Sequence, residues 1–433
     1  MDFGNRLLGK FSSKKEVDSR LPINFFSRWH DPIIIFLLLF STSFFVGPLL
    51  GKPYPEAQFS TPVLPLLGKA IAFATPLSFM QAINIWVALS FPLSSFTWHL
   101  LFKALSRNNL IAFLASLIFN LPWSLETRFS LFWERGDGAH SLAVVFLPIA
   151  GFFFWQFLKS GGFKFFVISF LGIALVSLTS PFGLLNLYIV FMIITASEML
   201  LGQARIKLTR FLIVAIFAQG FSSFWYHPAF FAALFNSENG RAVINAFWQL
   251  VPIAIFSVPI IGAFSFLIFD RKPTLQPLFL GLVLTLIYFS LTAIEKFGGY
   301  LSLPVPDRFL PEFYLGLSLL GAILINFLIN LPLEKKLNLI KVHSRFDLPH
   351  HAREVCLTTF LTAFLAWPIF SLFSATPVLS DFSQTNSLDG TQVLAAQTVW
   401  REVSSGGLSH YAGYGITILT GFSAIFLKSK IKN

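Results

Sequence analysis

Long apolar runs constrain this chain more than any motif does. GDGAHSLAVVFLPIAGFFFWQFL, at 136–158, is one of them, and comparable stretches recur between residues 33 and 427. A helix of about 20 mostly apolar residues crosses a bilayer. Runs near 33–50, 78–102, 109–125, 141–158, 165–181, 183–201, 211–227, 246–269, 275–294, 312–333, 355–375 and 411–427 predict such helices. The third and fifth are short, which gives about 10–12 spans. Pro48, Pro76, Pro92, Pro122, Pro252 and Pro259 mark kinks or ends, which membrane helices tolerate when neighbours satisfy the freed carbonyls. Composition supports the same fold class. Charged residues make up 12% of the chain, against about 25% in soluble domains, too few to cover a globule with polar surface. The chain reads as an all-α integral membrane protein, a polytopic helix bundle.

Charge then sets an orientation. With the N-terminus in the cytoplasm, the opposite face receives only Lys52, Lys69, Arg128, Arg135, Arg241, Lys296, Arg308 and Arg401 of the 31 basic residues. Basic residues favour cytoplasmic loops, so both termini are expected there, in the plasma (cytoplasmic) membrane. The net charge of +11 is therefore a topology signal. No basic patch interleaved with stacking aromatics points to nucleic acid. The expected organisation is a cytoplasmic segment 1–30, a transmembrane core 31–333 and a cytoplasmic loop 334–354. C-terminal helices at 355–433 follow, with an external loop at 376–410 that holds a short helix near 391–403. The polar N-terminus lacks a signal-peptide pattern. The single cysteine, Cys356, excludes an internal disulfide framework and a cysteine-based metal cluster. There is no fixed-period repeat or low-complexity tract.

Ionisable groups at mid-depth are the usual mark of a transporter, and they are scarce here. Glu198 is the one carboxylate inside an apolar run, near its cytoplasmic end, where a snorkelling side chain is the ordinary reading. Gln81, Asn84, His99, Asn120, Gln219, Asn326 and Asn330 suit polar contacts between helices. The external face is richer. It gathers Glu56, Glu126, Glu134, Asp137, Asp307 and Glu312 among its acids, with His140, His227 and His410 and aromatics such as Tyr54, Trp133 and Tyr300. That mixture suits a site at the membrane boundary, where a lipid phosphate would be met.

FWERGDGAH, at 132–140, falls in an external loop. Gly136 and Gly138 allow a tight turn, and His140 opens the next helix, whose free N–H groups favour an anion. Arg135 is suited to gripping a phosphate through two N–H groups. The competing reading is a solvated turn with local ion pairs. Asp307-Arg308 and Glu295-Lys296 read by default as exposed pairs, worth little energetically. Asp347, His350, His351 and Glu354 lie in a cytoplasmic stretch, and adjacent histidines point apart on a helix, so a solvated segment is expected rather than a metal site.

Several stretches resemble the polytopic membrane proteins labelled six-pyruvoyl-tetrahydropterin synthase-related, which look like GT-C-type glycosyltransferases. TPVLPLLGKAI at 61–71 resembles the proline-containing approach to the second span. GDGAHSLAVVFLPIAGFFFWQFL resembles a Gly-polar-His segment leading into a helix with a central Leu-Pro. LTSPFGLLNLYIVFMII at 178–194 resembles a proline corner between helices, and FWYHPAF at 224–230 and PDRFLPEFYLG at 306–316 resemble later external corners. The likeness covers most of residues 30–330 and fades from about 335. It implies a GT-C-like bundle, an external active site, a polyprenyl-phosphate-linked sugar donor and an acidic residue in the first external loop. That loop, GKPYPEAQFSTPVLP, contains Glu56 as its only acid. One carboxylate can act as a base but does not make an Asp-x-Asp pair for a divalent cation.

The expectation is a membrane glycosyltransferase with Glu56 as catalytic base. Arg135, Asp137, His140, Lys296 and Arg308 would bind substrate; no metal ligand is assigned, although a divalent cation remains compatible. The partners would be the lipid-linked sugar donor and membrane lipid. The alternatives are a non-catalytic GT-C-like protein that binds a lipid or a partner, and a transporter or lipid flippase with a polar path from Glu198 outward.

Overall fold

The structure, a computed structural model, describes residues 61–230, 275–297, 307–329 and 408–430, together with Tyr54, residue 232 and a few positions at 35–43. By contact density the chain divides into two units, 1–326 with 396–433 and 327–395; the helices below belong to the first, apart from the last residues of one. The spans expected near 246–269 and 355–375, most of 33–50, the segments 1–30, 334–354 and 376–407, the residues Glu56, His350 and His351, and the helix expected near 391–403 lie outside the described residues.

Every described element is helical. The helices are α1 (Val63–Ala74), α2 (Phe79–Ser106), α3 (Asn109–Phe119), α4 (Pro122–Phe129), α5 (Gly138–Ser160), α6 (Phe163–Thr179), α7 (Pro181–Leu200), α8 (Ala204–Ser222), α9 (Gln276–Phe297), α10 (Leu310–Ile329) and α11 (Leu408–Lys430). A π-helical turn, Ser130–Glu134, continues α4. Among the described residues, α2, α5, α7 and α9 are long and apolar enough to cross a membrane, and α3 with α4, bent by 56°, would make a fifth span. The molecule is consistent with a polytopic membrane helix bundle.

Local sequence explains the boundaries. Ser78 and Gln81 form a reciprocal capping box at the start of α2, satisfying two N–H groups that lack helical partners. Asn108 accepts from Leu110 and Ile111 to begin α3. Ser180 accepts from Gly183, and Pro181 sits at the first position of α7, where its missing N–H costs nothing. Gly161, at φ +67°, ends α5. A Cβ there would collide with the Arg210 guanidinium, so the site excludes larger residues through both its backbone and its neighbour.

α5 is the centre of the bundle and packs on α2, α6 and α7. The core is largely aromatic: Phe154 stacks on Phe191 at 4.1 Å, and Phe166 meets Phe217 edge-on at 5.1 Å. Large apolar side chains also point outward, including Met192, Leu212 and Ile216 on α7 and α8 and Leu419, Phe422 and Phe426 on α11. Water would penalise such a surface, whereas lipid accepts it.

Three expectations change. Val63–Ala74 is a separate helix of 12 residues, about 18 Å long, rather than the lead-in to a span, and Trp86 Nε1 donates to its Leu67 carbonyl. The run at 109–125 is two helices, broken at Asn120 where Pro122 starts the second. The run at 211–227 belongs to a helix that begins seven residues earlier, at Ala204. It takes in Lys207 and Arg210, charges that stop an apolar window but are buried here against neighbouring helices.

Candidate functional site

The π-helical turn delivers the chain into a buried corner. Leu131 and Phe132 are buried, Gly136 turns with φ +76°, and α5 begins at Gly138. The Tyr54 hydroxyl locks this corner: it donates to the Phe132 carbonyl at 2.6 Å and accepts from the Gly138 N–H at 2.7 Å. A Cβ on Gly138 would lie 2.6 Å from Val87 Cγ2 and 2.7 Å from the Tyr54 oxygen, so only glycine fits. FWERGDGAH is thus partly packed: Phe132, Gly138 and His140 are buried while Glu134 is exposed, so the solvated-turn reading holds for only part of it.

Charges from three segments converge on the corner. Arg308, just before α10, donates from Nε to Asp137 Oδ2 at 2.8 Å, and its Nη2 makes an ion pair with the same oxygen at 2.8 Å. Its guanidinium stacks over the Phe182 ring at 4.7 Å. His140 has no exposed surface and is held edge-on between Phe132 and Phe182. His140 Nε2 lies 2.8 Å from Glu312 Oε1, and Nδ1 lies 3.6 Å from Asp137 Oδ2. Asn186 Nδ2 donates to the same Glu312 oxygen at 2.7 Å, and the Tyr288 hydroxyl reaches Asn186 Oδ1 at 3.3 Å. Arg135 approaches Asp307 at 3.8 Å. The pairing at 307–308 is therefore long-range and partly buried, correcting the reading of an exposed local pair.

The electrostatics explain how these charges can be tolerated. Burial pushes the Asp137 carboxyl upward, but the facing Arg308 and His140 outweigh it and hold it below the ordinary carboxylate range. Glu312 sits in the first turn of α10, where the helix dipole favours a negative charge. Removing one member of such a pair strands a buried charge, at about 3–5 kcal/mol. The carboxylates do not fit a divalent cation: Asp137 faces Arg308, and Glu312 faces His140 and Asn186. Among the described residues no group of three or more His, Cys, Asp or Glu side chains could hold a metal ion.

Of the residues expected to bind substrate, Asp137, His140 and Arg308 meet in one cluster, with Arg135 beside it. Lys296 lies on α9, but its side chain, like the whole of Glu56, falls outside the described residues. Glu312, Asn186 and Tyr288 belong to the cluster and carried no role in the sequence reading. The available signal was the PDRFLPE stretch, which places Asp307, Arg308 and Glu312 at the head of one helix.

A second buried centre lies on the far part of α7. Glu198 is 1% exposed and accepts from Trp155 Nε1 at 2.8 Å, Gln276 Nε2 at 2.7 Å and Lys207 Nζ at 3.2 Å. Lys159 Nζ approaches to 3.8 Å and lies over the Trp155 ring. Glu198 does not snorkel, because donors from three helices, α5, α8 and α9, reach it. Comparison with known protein families, curated proteins and solved structures returns no match.

Proposed function

We propose that this chain is a multi-pass, GT-C-like membrane transferase that moves a sugar from a polyprenyl-phosphate donor at the Asp137 end of the bundle. One observation carries the reading. The Tyr54 hydroxyl is fixed in the turn that presents Asp137, and Glu56 follows two residues later in the chain. Tyr54, in the loop expected to hold the base, thereby touches the turn that carries Arg135 and Asp137. Arg308 commits Nε and Nη2 to Asp137, which leaves Nη1 for a phosphate oxygen. Its side chain is 23% exposed, open enough to meet a lipid headgroup.

In this mechanism Glu56 takes the proton from an acceptor hydroxyl as that oxygen bonds to the sugar's anomeric carbon. The bond from that carbon to the phosphate oxygen breaks, and polyprenyl phosphate departs. Arg308 and Arg135, with Lys296, stabilise the charge on the leaving phosphate. Asp137 keeps Arg308 aimed. His140 faces two carboxylates and holds the heads of α5 and α10 together. The assay is transfer of labelled sugar from a polyprenyl-phosphate donor by the full chain in nanodiscs. Glu56→Gln should abolish transfer while leaving donor binding intact, and full activity in that variant would remove Glu56 as the base.

One observation favours a second reading, a non-catalytic protein that binds a lipid or a partner: Asp137 and Glu312 both engage internal partners. Donor binding without turnover by the unaltered chain would select it.

A further inference from the structure

Glu312 is only half used by the cluster. His140 and Asn186 both meet its Oε1, whereas Oε2 is buried without a hydrogen-bond partner. The same is true of Trp98 Nε1 on α2. Glu312 is 3% exposed and Trp98 2%, so bulk water does not serve either. Both residues line one small cavity, of about 10 Å³, whose other walls include Phe119, Val144, Leu147 and Leu315. An indole nitrogen only donates, and a carboxylate oxygen only accepts. Two residues that each carry a buried, unpartnered polar atom, one a donor and one an acceptor, thus line the same apolar space.

We propose that this cavity is a binding site for a single water molecule, which accepts from Trp98 Nε1–H and donates to Glu312 Oε2. A site of this size takes about one water and is too small for a sugar or a phosphate. Glu312 is the one charged group among the lining residues, too few oxygen ligands for a divalent cation. The water satisfies two groups whose isolation would otherwise be costly. It also extends the Asp137 cluster inward: α2 joins α5, α7, α9 and α10 through Glu312. The inference does not depend on the transferase reading.

A cryo-EM map of the full chain in nanodiscs, at a resolution that shows ordered water elsewhere in the bundle, tests it directly. The expected result is one density peak within hydrogen-bonding distance of both Trp98 Nε1 and Glu312 Oε2. No peak, or a peak touching only one of them, overturns the proposal. Trp98→Phe removes the donor and should abolish the peak while His140 and Glu312 stay in contact. A peak persisting there in that variant would also overturn it. If Trp98→Phe does not fold, the map of the unaltered chain decides alone.

Discussion

Asp137 shows how a charged residue can be stable inside so apolar a chain. Its carboxylate accepts a hydrogen bond from Arg308 Nε and pairs with Nη2 of the same guanidinium, 171 residues away in sequence. Arg308→Ala should destabilise the fold by about 1–3 kcal/mol, because Asp137 would lose its guanidinium partner and keep only His140. Asp137→Asn should recover part of that loss in the double variant, and thermal unfolding in detergent measures both. The pH dependence has a definite sign. The folded carboxyl sits below its ordinary range, so its contribution is complete above the unfolded pKa of about 4 and falls away as pH drops through the folded value. Melting temperature should be level near neutrality and decline in acid, less steeply in Asp137→Asn. The sequence exposed the members of this cluster unevenly. Asp137, His140 and Arg308 stood out as charges beside glycine and proline. Asn186 and Tyr288 looked like ordinary helix residues, because nothing local reveals a partner on another helix.

At the scale of the element, helix existence was legible and helix ends were not. Apolar periods marked α2, α5, α7 and α9 to within a few residues, since lipid and the core both demand the same side chains there. α8 was cut short because Lys207 and Arg210 resemble loop residues. They are buried because Lys207 donates to the Glu198 carbonyl at 2.6 Å and Arg210 to the Leu158 carbonyl at 2.6 Å, both at helix C-terminal ends where cations are favoured. The junction into α5 makes a sharper test. Gly138→Ala should destabilise the protein by about 1–3 kcal/mol, as overpacking does, and Tyr54→Phe by about 1 kcal/mol through its lost hydrogen bonds. Because the alanine methyl would strike the Tyr54 hydroxyl, the two losses should not add, which a double-variant unfolding cycle measures.

For the whole molecule, the two buried centres lie at opposite ends of the same helices. Asn186 and Glu198 are 12 residues apart on α7, about 18 Å, and Leu187, Val190, Phe191, Ile193 and Ile194 are buried between them. The expected topology has its own test. Glu134 precedes α5 and Lys164 follows it, and both are exposed. In a Cys356→Ser background, cysteines at these two positions should react with a membrane-impermeant reagent from opposite sides of sealed vesicles. Labelling of both from one side would overturn the crossing of α5. Hydropathy counts runs and so yields the number of spans only as a range, and a run such as 109–125 does not reveal that it bends.

The paired centres also constrain motion. α7 and α9 are joined near one end by Asn186 and Tyr288 and near the other by Glu198 and Gln276. Sliding one past the other by a helical turn, about 5.4 Å, would break both junctions at once. The pair therefore acts as a fixed rail. A tilt of α10 away from that rail would part Arg308 and Glu312 from Asp137 and His140 in the same movement.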